Sequence, residues 1–410
     1  MDLFSLKNEY DLSRPIHKMD FIRYSPGSLA TANDNNTNIK ISFPREDAYI
    51  SLQNSYISLE FEVLKNDNTR YADGDAIGLV NFGPVALFSE AKLETSSGKL
   101  LEKVENLHPI SLMYKLLTSS KGTSELMYGF EDNQTVRRQE LTNRKTEKGT
   151  YFVRIRLTDI FGFATQHKIT YGLGYKLTLK RNINNDCIIR NNGVDEAKII
   201  IKDISWYIPH FIPSLDNQQV VLDQLLNKEP TELFYVERSV FRKDVNSQNN
   251  WTIDLGAEAG IRVPSYIIVG FMHRDKIDSQ THDNGVFDRL PISAAVCKIG
   301  SENYPDNGID CDYERDKYDQ AYYEIENFYR QHAETDLLKP FVTFQTFKTN
   351  YNFYIFDTTK QKEHIEAKSI RIEFKFSGVI NTDDYTAYVL ILTNKLVSVS
   401  SDGQRHFDLI

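Results

Sequence analysis

The sequence predicts an all-β protein made of two tandem jelly-roll β-sandwiches with short inserted helices. Three observations support this prediction. The chain has 24 Phe and 23 Tyr against 5 Met and 2 Trp, and aromatic side chains pack well on sheets. Its 410 residues exceed what one hydrophobic core usually serves, so two domains of roughly 200 residues are expected. Both halves also share one layout, in which strands, one amphipathic helix and further strands follow each other.

Residues 1–36 are predicted to form an irregular N-terminal arm, because Pro15, Pro26 and the Asn/Asp run at 33–36 favour turns. The basic side chains of the arm are balanced by acidic ones. An arm that condenses a genome is strongly basic, and this one is not.

The first jelly roll is predicted at residues 37–213 from segments in which apolar and polar residues alternate, the pattern of a half-buried strand. Val153 and Ile155, for example, alternate with Arg154 and Arg156. The predicted strands are 39–43, 57–63, 91–95, 99–101, 153–157, 175–180 and 198–208. Pro209 and Pro213 are predicted to end the last strand, because proline lacks the N–H of a ladder.

One helix is predicted in this half, starting near Pro109, which suits the first helical turn. Ile110, Met113, Tyr114 and Leu117 follow at i, i+3, i+4 and i+7 and form one apolar stripe. The stripe predicts that the helix packs against the body of the domain.

Residues 120–150 are predicted to form a long surface loop, because they are charged and lack periodicity. Basic residues outnumber acidic ones between Arg137 and Lys148. We favour a solvated loop over an anion or nucleic-acid contact, since no aromatic residues are interleaved for base stacking.

A connector helix is predicted at 214–230, with Ser214 as its cap and Pro230 as its end. The second jelly roll is then predicted at 231–410. Its predicted strands are 233–241, 250–255, 265–271, 341–347, 351–356, 369–376 and 385–392. A helix is predicted at 317–332, where Ala321, Ile325 and Phe328 lie on one face. It starts about half a chain after the helix near Pro109.

Composition narrows the possible partners and the compartment. The formal net charge is −9, which disfavours nucleic acid and anionic membranes as general partners. Cys187, Cys297 and Cys311 are widely spaced and predict neither a disulfide framework nor a zinc site, so a reducing compartment is expected. The N-terminus lacks a signal-peptide pattern, and the longest apolar run, 266–272, is far short of a membrane span.

Two clusters of polar residues could bind a metal ion. The segment 272–284 contains His273 and His282 with Asp275, Asp278 and Asp283; we favour a solvated turn over a metal site. An acidic cluster at 306–316 could hold calcium between subunits but lacks the D-x-D-x-D-G spacing of a loop that binds calcium alone. It is formed by Asp306, Asp310, Asp312, Glu314 and Asp316.

No catalytic or cofactor site is predicted. The His-x-His pair of cupin enzymes, which are also jelly rolls, is missing from the nine histidines. GxSxG, P-loop and GxGxxG-helix motifs are missing as well. We therefore expect a protein without catalytic chemistry.

An ordered set of segments resembles a known family. These segments are FPREDAYISLQNSYISLEFEV, AIGLVNFGPVALFSEAKLETSSGKLLEKV, DIFGFATQHKITYGLGYKLTLKRN, DISWYIPHFIPS, YIIVGF, VFDRL and ENYP, with YNFYIFDTTKQKEHI and YTAYVLILTNKLVSVSSDG near the end. They are similar to the double jelly-roll major capsid proteins of polinton-like and adintovirus-like DNA viruses. The resemblance covers most of residues 38–403.

The resemblance implies an architecture related to that of adenovirus and tectivirus capsid proteins. It implies that the chain trimerises into pseudo-hexagonal capsomers that tile an icosahedral shell in the virion. The implied partners are two further copies, neighbouring capsomers, and penton or minor capsid proteins, without sequence-specific nucleic acid and without a cofactor.

On this picture the loops 120–150 and 272–315 are expected to be exposed. Phe161, Phe163, Trp206 and Pro209 are expected to pack in the core or at the trimer interface, and we favour the core. Two other functions stay open: a two-domain β-sandwich that binds carbohydrate or a protein through its loops, and an enzyme built on a β-sandwich.

Overall fold

The computed structural model describes most of the chain. The described residues are 16–44, 48–72, 74–120, 149–214, 231–245, 250–255, 264–312, 314–333, 339–360, 369–377, 384–399 and 407–409. The predicted connector helix after Ser214 and nearly all of the predicted loop 120–150 lie outside these residues.

The first half is formed by strands with a few short helices. They are β1 (Ile16–Tyr24), β2 (Asn38–Phe43), β3 (Tyr49–Ile50), β4 (Tyr56–Lys65), β5 (Ile77–Leu79), α1 (Gly83–Ala86), β6 (Phe88–Thr95), β7 (Leu100–Glu105), α2 (Leu107–Thr118), β8 (Thr150–Arg156), α3 (Leu157–Ile160), β9 (Thr170–Tyr171), β10 (Tyr175–Arg181), β11 (Ile188–Arg190) and β12 (Ala197–Pro213).

The second half has the same character. It is formed by β13 (Thr231–Asp244), β14 (Asn250–Asp254), β15 (Pro264–His273), β16 (Ile292–Ile299), β17 (Glu302–Asp310), α4 (Asp319–His332), α5 (Phe344–Thr349), β18 (Phe353–Asp357), β19 (Ile370–Phe376), β20 (Tyr385–Val399) and β21 (Phe407–Leu409).

The strand order is that of a jelly roll, and it occurs twice. Apart from the short strands β3, β5, β9 and β11, the first half forms two sheets, β1-β12-β4-β8 and β2-β10-β6-β7. The second half forms β13-β20-β15-β18 and β14-β19-β16-β17. Among the eight strands of each pair of sheets, the first pairs with the eighth, the eighth with the third and the third with the sixth. In the second half the short strand β21 also pairs with β20. The predicted double jelly roll is confirmed.

The two prominent helices occupy equivalent places in the two jelly rolls. α2 connects the fifth strand β7 to the sixth strand β8, and α4 connects the fifth strand β17 to the sixth strand β18. Both helices were predicted from their apolar stripes. No helix in the described part of the chain is long and apolar enough to span a membrane.

The strands follow the predicted alternation where one face meets the core. In β10, Tyr175, Leu177 and Leu179 are fully buried, and the residues between them are half-buried. β19 shows the same pattern, with Ile372 and Phe374 inside. Burial of these apolar faces between the paired sheets supplies the main stabilisation of each jelly roll.

The N-terminal arm is not irregular throughout, as had been predicted. Ile16–Tyr24, predicted as irregular, form β1 and pair antiparallel with β12. The strand was not predicted because residues 17–23 are all exposed, so its sequence has no apolar alternation. Pro209, predicted to end a strand, lies within β12. It is tolerated there because β4 pairs with β12 only as far as Tyr207 and β3 only from His210.

Two further predictions were wrong. The predicted strand 341–347 instead contains the start of α5, where Thr343 accepts a hydrogen bond from the Thr346 N–H in a capping box. Phe344 and Phe347 then lie three residues apart, which suits a helix face. The predicted exposed loop 272–315 contains the strands β16 and β17. They were not predicted because β17 consists largely of polar residues and because a register shift interrupts the pairing of the two strands.

Candidate functional site: the seam between the jelly rolls

The seam is the contact surface between the two jelly rolls. The first jelly roll contributes β7, α2, α3, the 3-10 turn Phe163–Thr165 and β11; the second contributes β13, α4 and the segment 278–285. Any function that requires the two jelly rolls to act as one rigid block depends on this surface.

At the centre of the seam a glycine allows two backbones to meet. A Cβ atom on Gly162 would lie 1.7 Å from the carbonyl oxygen of Val236 in β13. No other residue type fits this contact without displacing the second jelly roll, since close backbone approach requires glycine.

Glu102 holds both jelly rolls through one buried carboxylate. Its side chain accepts hydrogen bonds from the N–H groups of Gly162 (3.1 Å), Phe163 (2.7 Å) and Arg238 (3.3 Å). Burial raises the pKa of Glu102 to about 7, although the hydrogen bonds from Phe163 and Gly162 and the charge of Arg238 act to lower it. The carboxyl therefore titrates near neutrality.

Arg238 is a buried cation of the seam. Its guanidinium donates hydrogen bonds to the carbonyl oxygens of Asp159 (3.1 Å) and Thr158 (3.0 Å) and lies 3.8 Å from the ring centre of Tyr114 in α2. Such a desolvated cation–π contact contributes about 2 kcal/mol. Arg238 thereby ties β13 to both α2 and α3.

The side chain of Asp159 is fixed by two cations of its own jelly roll. Lys115 lies 2.8 Å and Arg156 3.3 Å from its carboxylate. Burial alone would raise the pKa of Asp159, but the charges and hydrogen bonds of Lys115 and Arg156 bring it below its usual value. The carboxylate stays ionised and holds α2 against α3.

A second contact region joins β5 and α2 to the second jelly roll. The Asn81 side chain donates hydrogen bonds to the carbonyl oxygen of Gly285 (3.3 Å) and to the hydroxyl of Tyr351 (2.9 Å). The carbonyl oxygen of Asn81 lies 2.6 Å from Nε2 of His108. Burial lowers the pKa of His108 to about 4, so the ring is neutral and its Nε2–H donates to Asn81.

Gln280 forms the third contact region. Its side chain donates to the carbonyl oxygen of Ala197 (2.8 Å) and to Oδ1 of Asn185 (2.9 Å), and it accepts from the N–H of Ala197 (3.0 Å) and from Nε of Arg190 (3.2 Å). This glutamine completes the backbone pairing at the start of β12. It satisfies buried polar groups that would otherwise lack partners.

The helices α2 and α4 also meet at the seam. The rings of Tyr114 and Phe328 pack edge to face, with centres 6.4 Å apart. Beyond α2, Phe341 donates its N–H to the carbonyl oxygen of Ser119 at 2.9 Å. The two jelly rolls therefore contact each other in several regions and not at one point.

The four packing candidates are all buried within a single chain. Phe163 lies at the seam, where its ring packs edge to face on Tyr235 at 5.1 Å. Phe161 is fully buried beside Gly162, Trp206 is fully buried in β12, and Pro209 pairs with Phe21 of β1.

The polar segment 272–284 serves the seam. Asp278 accepts a hydrogen bond from Asn185 (2.7 Å) and donates its N–H to Asp186 (2.9 Å). His273 and His282 instead bond within their own segment, to the N–H of Asp275 and the hydroxyl of Ser279. Nδ1 of His273 also lies 3.5 Å from the Asp275 carboxylate, whereas His282 contacts Ser279.

Several carboxylates of the acidic cluster form ion pairs. Asp310 lies 3.1 Å from Lys317, and Asp316 lies 2.7 Å from Arg289 and 3.1 Å from Lys348. Within the described residues no group of three or more His, Cys, Asp or Glu side chains is placed to hold a metal ion. Cys187, Cys297 and Cys311 are buried free thiols.

The titration of Glu102 gives a testable pH dependence. Its pKa is about 7 in the folded chain against the ordinary glutamate value of 4.5, so the folded chain binds the proton more tightly than the unfolded chain. The free energy of unfolding is then expected to fall by about 3 kcal/mol as the pH rises from 4.5 through 7. Urea unfolding of the wild type and of Glu102→Gln across this range measures the effect.

In Glu102→Gln this part of the slope should disappear. Glu105→Gln is the matched control, because Glu105 lies on the same strand and is exposed. A Glu102→Gln variant that keeps the full wild-type slope would show that Glu102 does not titrate in this range.

Comparisons with known proteins agree with this architecture. A family model described as "Double jelly roll-like domain" matches residues 117–397. No curated protein matches the sequence. A structure of the Sputnik virophage solved by cryo-EM superposes with a TM-score of 0.64 at 12% identity, covering 98% of this chain and 91% of that chain.

Two further solved structures superpose over nearly the whole chain. The mavirus major capsid protein gives a TM-score of 0.50 at 14% identity and covers 98% of this chain and 92% of its own. A chain of the PBCV-1 virus capsid gives 0.51 at 11% identity and covers 95% and 96%. At these identities the likeness establishes the fold alone.

Proposed function

Since this chain belongs to the double jelly roll-like domain family, we propose that it is a structural major capsid protein located in the virion. The observation that carries the proposal is the seam. Gly162, Glu102 and Arg238 join two jelly rolls of the same topology into one block. A rigid block with two similar faces is suited to symmetric tiling.

We propose further that three copies form a pseudo-hexagonal capsomer. Two similar jelly rolls in each of three copies give six similar units around a closed ring, which can tile an icosahedral shell. Neighbouring capsomers are the proposed partners, together with penton or minor capsid proteins. Two of the structural neighbours are the mavirus major capsid protein and a chain of the PBCV-1 virus capsid, which supports this role.

The described part of the chain supports a non-enzymatic function. Of its buried ionisable groups at the seam, Glu102 and Arg238 hold the two jelly rolls together, and the carboxylate of Asp159 holds α2 against α3. We propose that Phe161, Phe163, Trp206 and Pro209 pack the core of one chain rather than the contact between chains, because all four are buried without a partner chain.

The proposal predicts the mass of the purified chain. Light scattering is expected to give three times the chain mass of 47.4 kDa, and negative-stain images of the same fraction should show a pseudo-hexagonal outline. A strict monomer at micromolar concentration contradicts the trimer and favours a two-domain binding module.

A further inference from the structure

β1 is a strand that the described part of its own chain leaves largely uncovered. Residues 17–23 are all exposed, and in the described part of the chain β1 pairs with β12 alone. Met19, Phe21 and Ile22 are 46%, 42% and 40% exposed, and Ile212 of β12 is 46% exposed. A strand with exposed apolar side chains and a free edge pairs readily with another chain.

The charges around β1 do not favour a charged partner. Lys18 lies 2.5 Å from Asp20, and Arg23 lies 2.8 Å from Asp203. These opposite charges pair within the chain, so the patch offers apolar side chains and backbone groups rather than a net charge. A protein surface fits it better than a polyanion.

The internal repeat identifies the kind of surface. β1 and β13 are equivalent, because each is the first strand of its jelly roll and pairs with the eighth strand, β12 or β20. β13 packs at the seam against the fifth strand β7 and the segment that follows the sixth strand β8, through the contacts of Arg238 with Glu102 and of Val236 with Gly162. In the described chain β1 has no equivalent neighbour.

We infer that β1 of one copy packs against the second jelly roll of another copy, at β17 and the residues 358–360 that follow β18. These are the fifth strand and the segment after the sixth strand, and they correspond to the surface that receives β13 within the chain. Each copy gives its β1 to one neighbour and receives β1 from the other, so three copies close a ring. The inference rests on the proposed trimer and assigns the strands that form it.

The first test places a charge in the contact. Phe21→Glu is expected to convert the trimer into a folded monomer of 47.4 kDa, measured by light scattering with circular dichroism as a check of folding. Phe152→Glu is the matched control: Phe152 is 53% exposed and lies on β8, at the opposite edge of the same sheet. The control should remain trimeric. A folded Phe21→Glu variant that stays trimeric overturns the inference.

Phe21→Glu could also disturb folding, because the ring of Phe21 lies 5.6 Å from the ring of Tyr56. A disulfide cross-link tests the inferred contact if that variant fails to fold. The chain carrying both Phe21→Cys and Glu302→Cys is expected to give covalent trimers on oxidation, seen on non-reducing gels. The three native cysteines are buried and give little background. Phe21→Cys alone should remain uncross-linked.

The outcomes separate the inference from the proposed function. Covalent dimers from Phe21→Cys alone would place β1 against β1 and overturn the inference. A trimer without any cross-link from the double variant also overturns it while leaving the proposed function intact. A monomeric wild type contradicts the proposed function, and the inference falls with it.

Discussion

Gly162→Ala is expected to destabilise the chain by about 3 kcal/mol or more, the upper end of the range for overpacking. The new Cβ would lie 1.7 Å from the carbonyl oxygen and 2.8 Å from the carbonyl carbon of Val236. Both atoms belong to the backbone of β13, so no rotamer change relieves the clash. The second jelly roll must move away as a body.

That movement also removes hydrogen bonds. Glu102 accepts from Gly162 in one jelly roll and from Arg238 in the other, so separation of the two leaves a buried carboxylate with fewer donors. Loss of such partners adds to the steric cost. Urea unfolding followed by circular dichroism measures the total effect.

The cost at residue 162 arises from the contact and not from the backbone conformation. The φ of Gly162 is −64°, which alanine adopts freely. Gly27→Ala is the control, because no heavy atom lies within 4 Å of the position of its Cβ. If Gly162→Ala unfolds at the same urea concentration as Gly27→Ala, the two jelly rolls do not require this close approach.

The sequence predicted elements whose periodicity is imposed by one buried face. β10 and β19 alternate without fault, and α2 and α4 carry complete apolar stripes, so each of these elements was recognised. β1 was missed because it has no buried face within the described part of the chain. The exposure of residues 17–23 explains why β1 lacks an alternating pattern. The same exposed side chains form the surface that we infer to contact another copy.

The seam could not be predicted because its residues are buried by the other half of the chain. Glu102 lies in a strand that also contains Lys103 and Glu105, so its sequence context predicts a solvent-facing side chain. Arg238 also lies in a strand, and it is buried by its contacts with α2 and α3 of the first jelly roll. Gly162 precedes the 3-10 turn Phe163–Thr165 with a φ of −64°, so the sequence alone does not show that it contacts β13.

Arg238→Leu is expected to lower the free energy of unfolding by about 3–5 kcal/mol, the range for removing one member of a buried charged network. Arg238 is 2% exposed, and loss of its guanidinium leaves the carbonyl oxygens of Asp159 and Thr158 without these donors. The contact with the Tyr114 ring is lost as well. Leucine fills part of the volume but restores none of these interactions.

Arg154→Leu is the matched control for this variant. The guanidinium of Arg154 lies 5.0 Å from the ring of Tyr56 but is exposed, so its removal should cost less than about 1 kcal/mol. Because Arg238 connects the two jelly rolls while Arg154 lies within one, Arg238→Leu should also separate unfolding into two transitions, seen as a biphasic urea curve. A single transition with wild-type stability in Arg238→Leu would mean that the seam is held by the Asn81 and Gln280 regions instead.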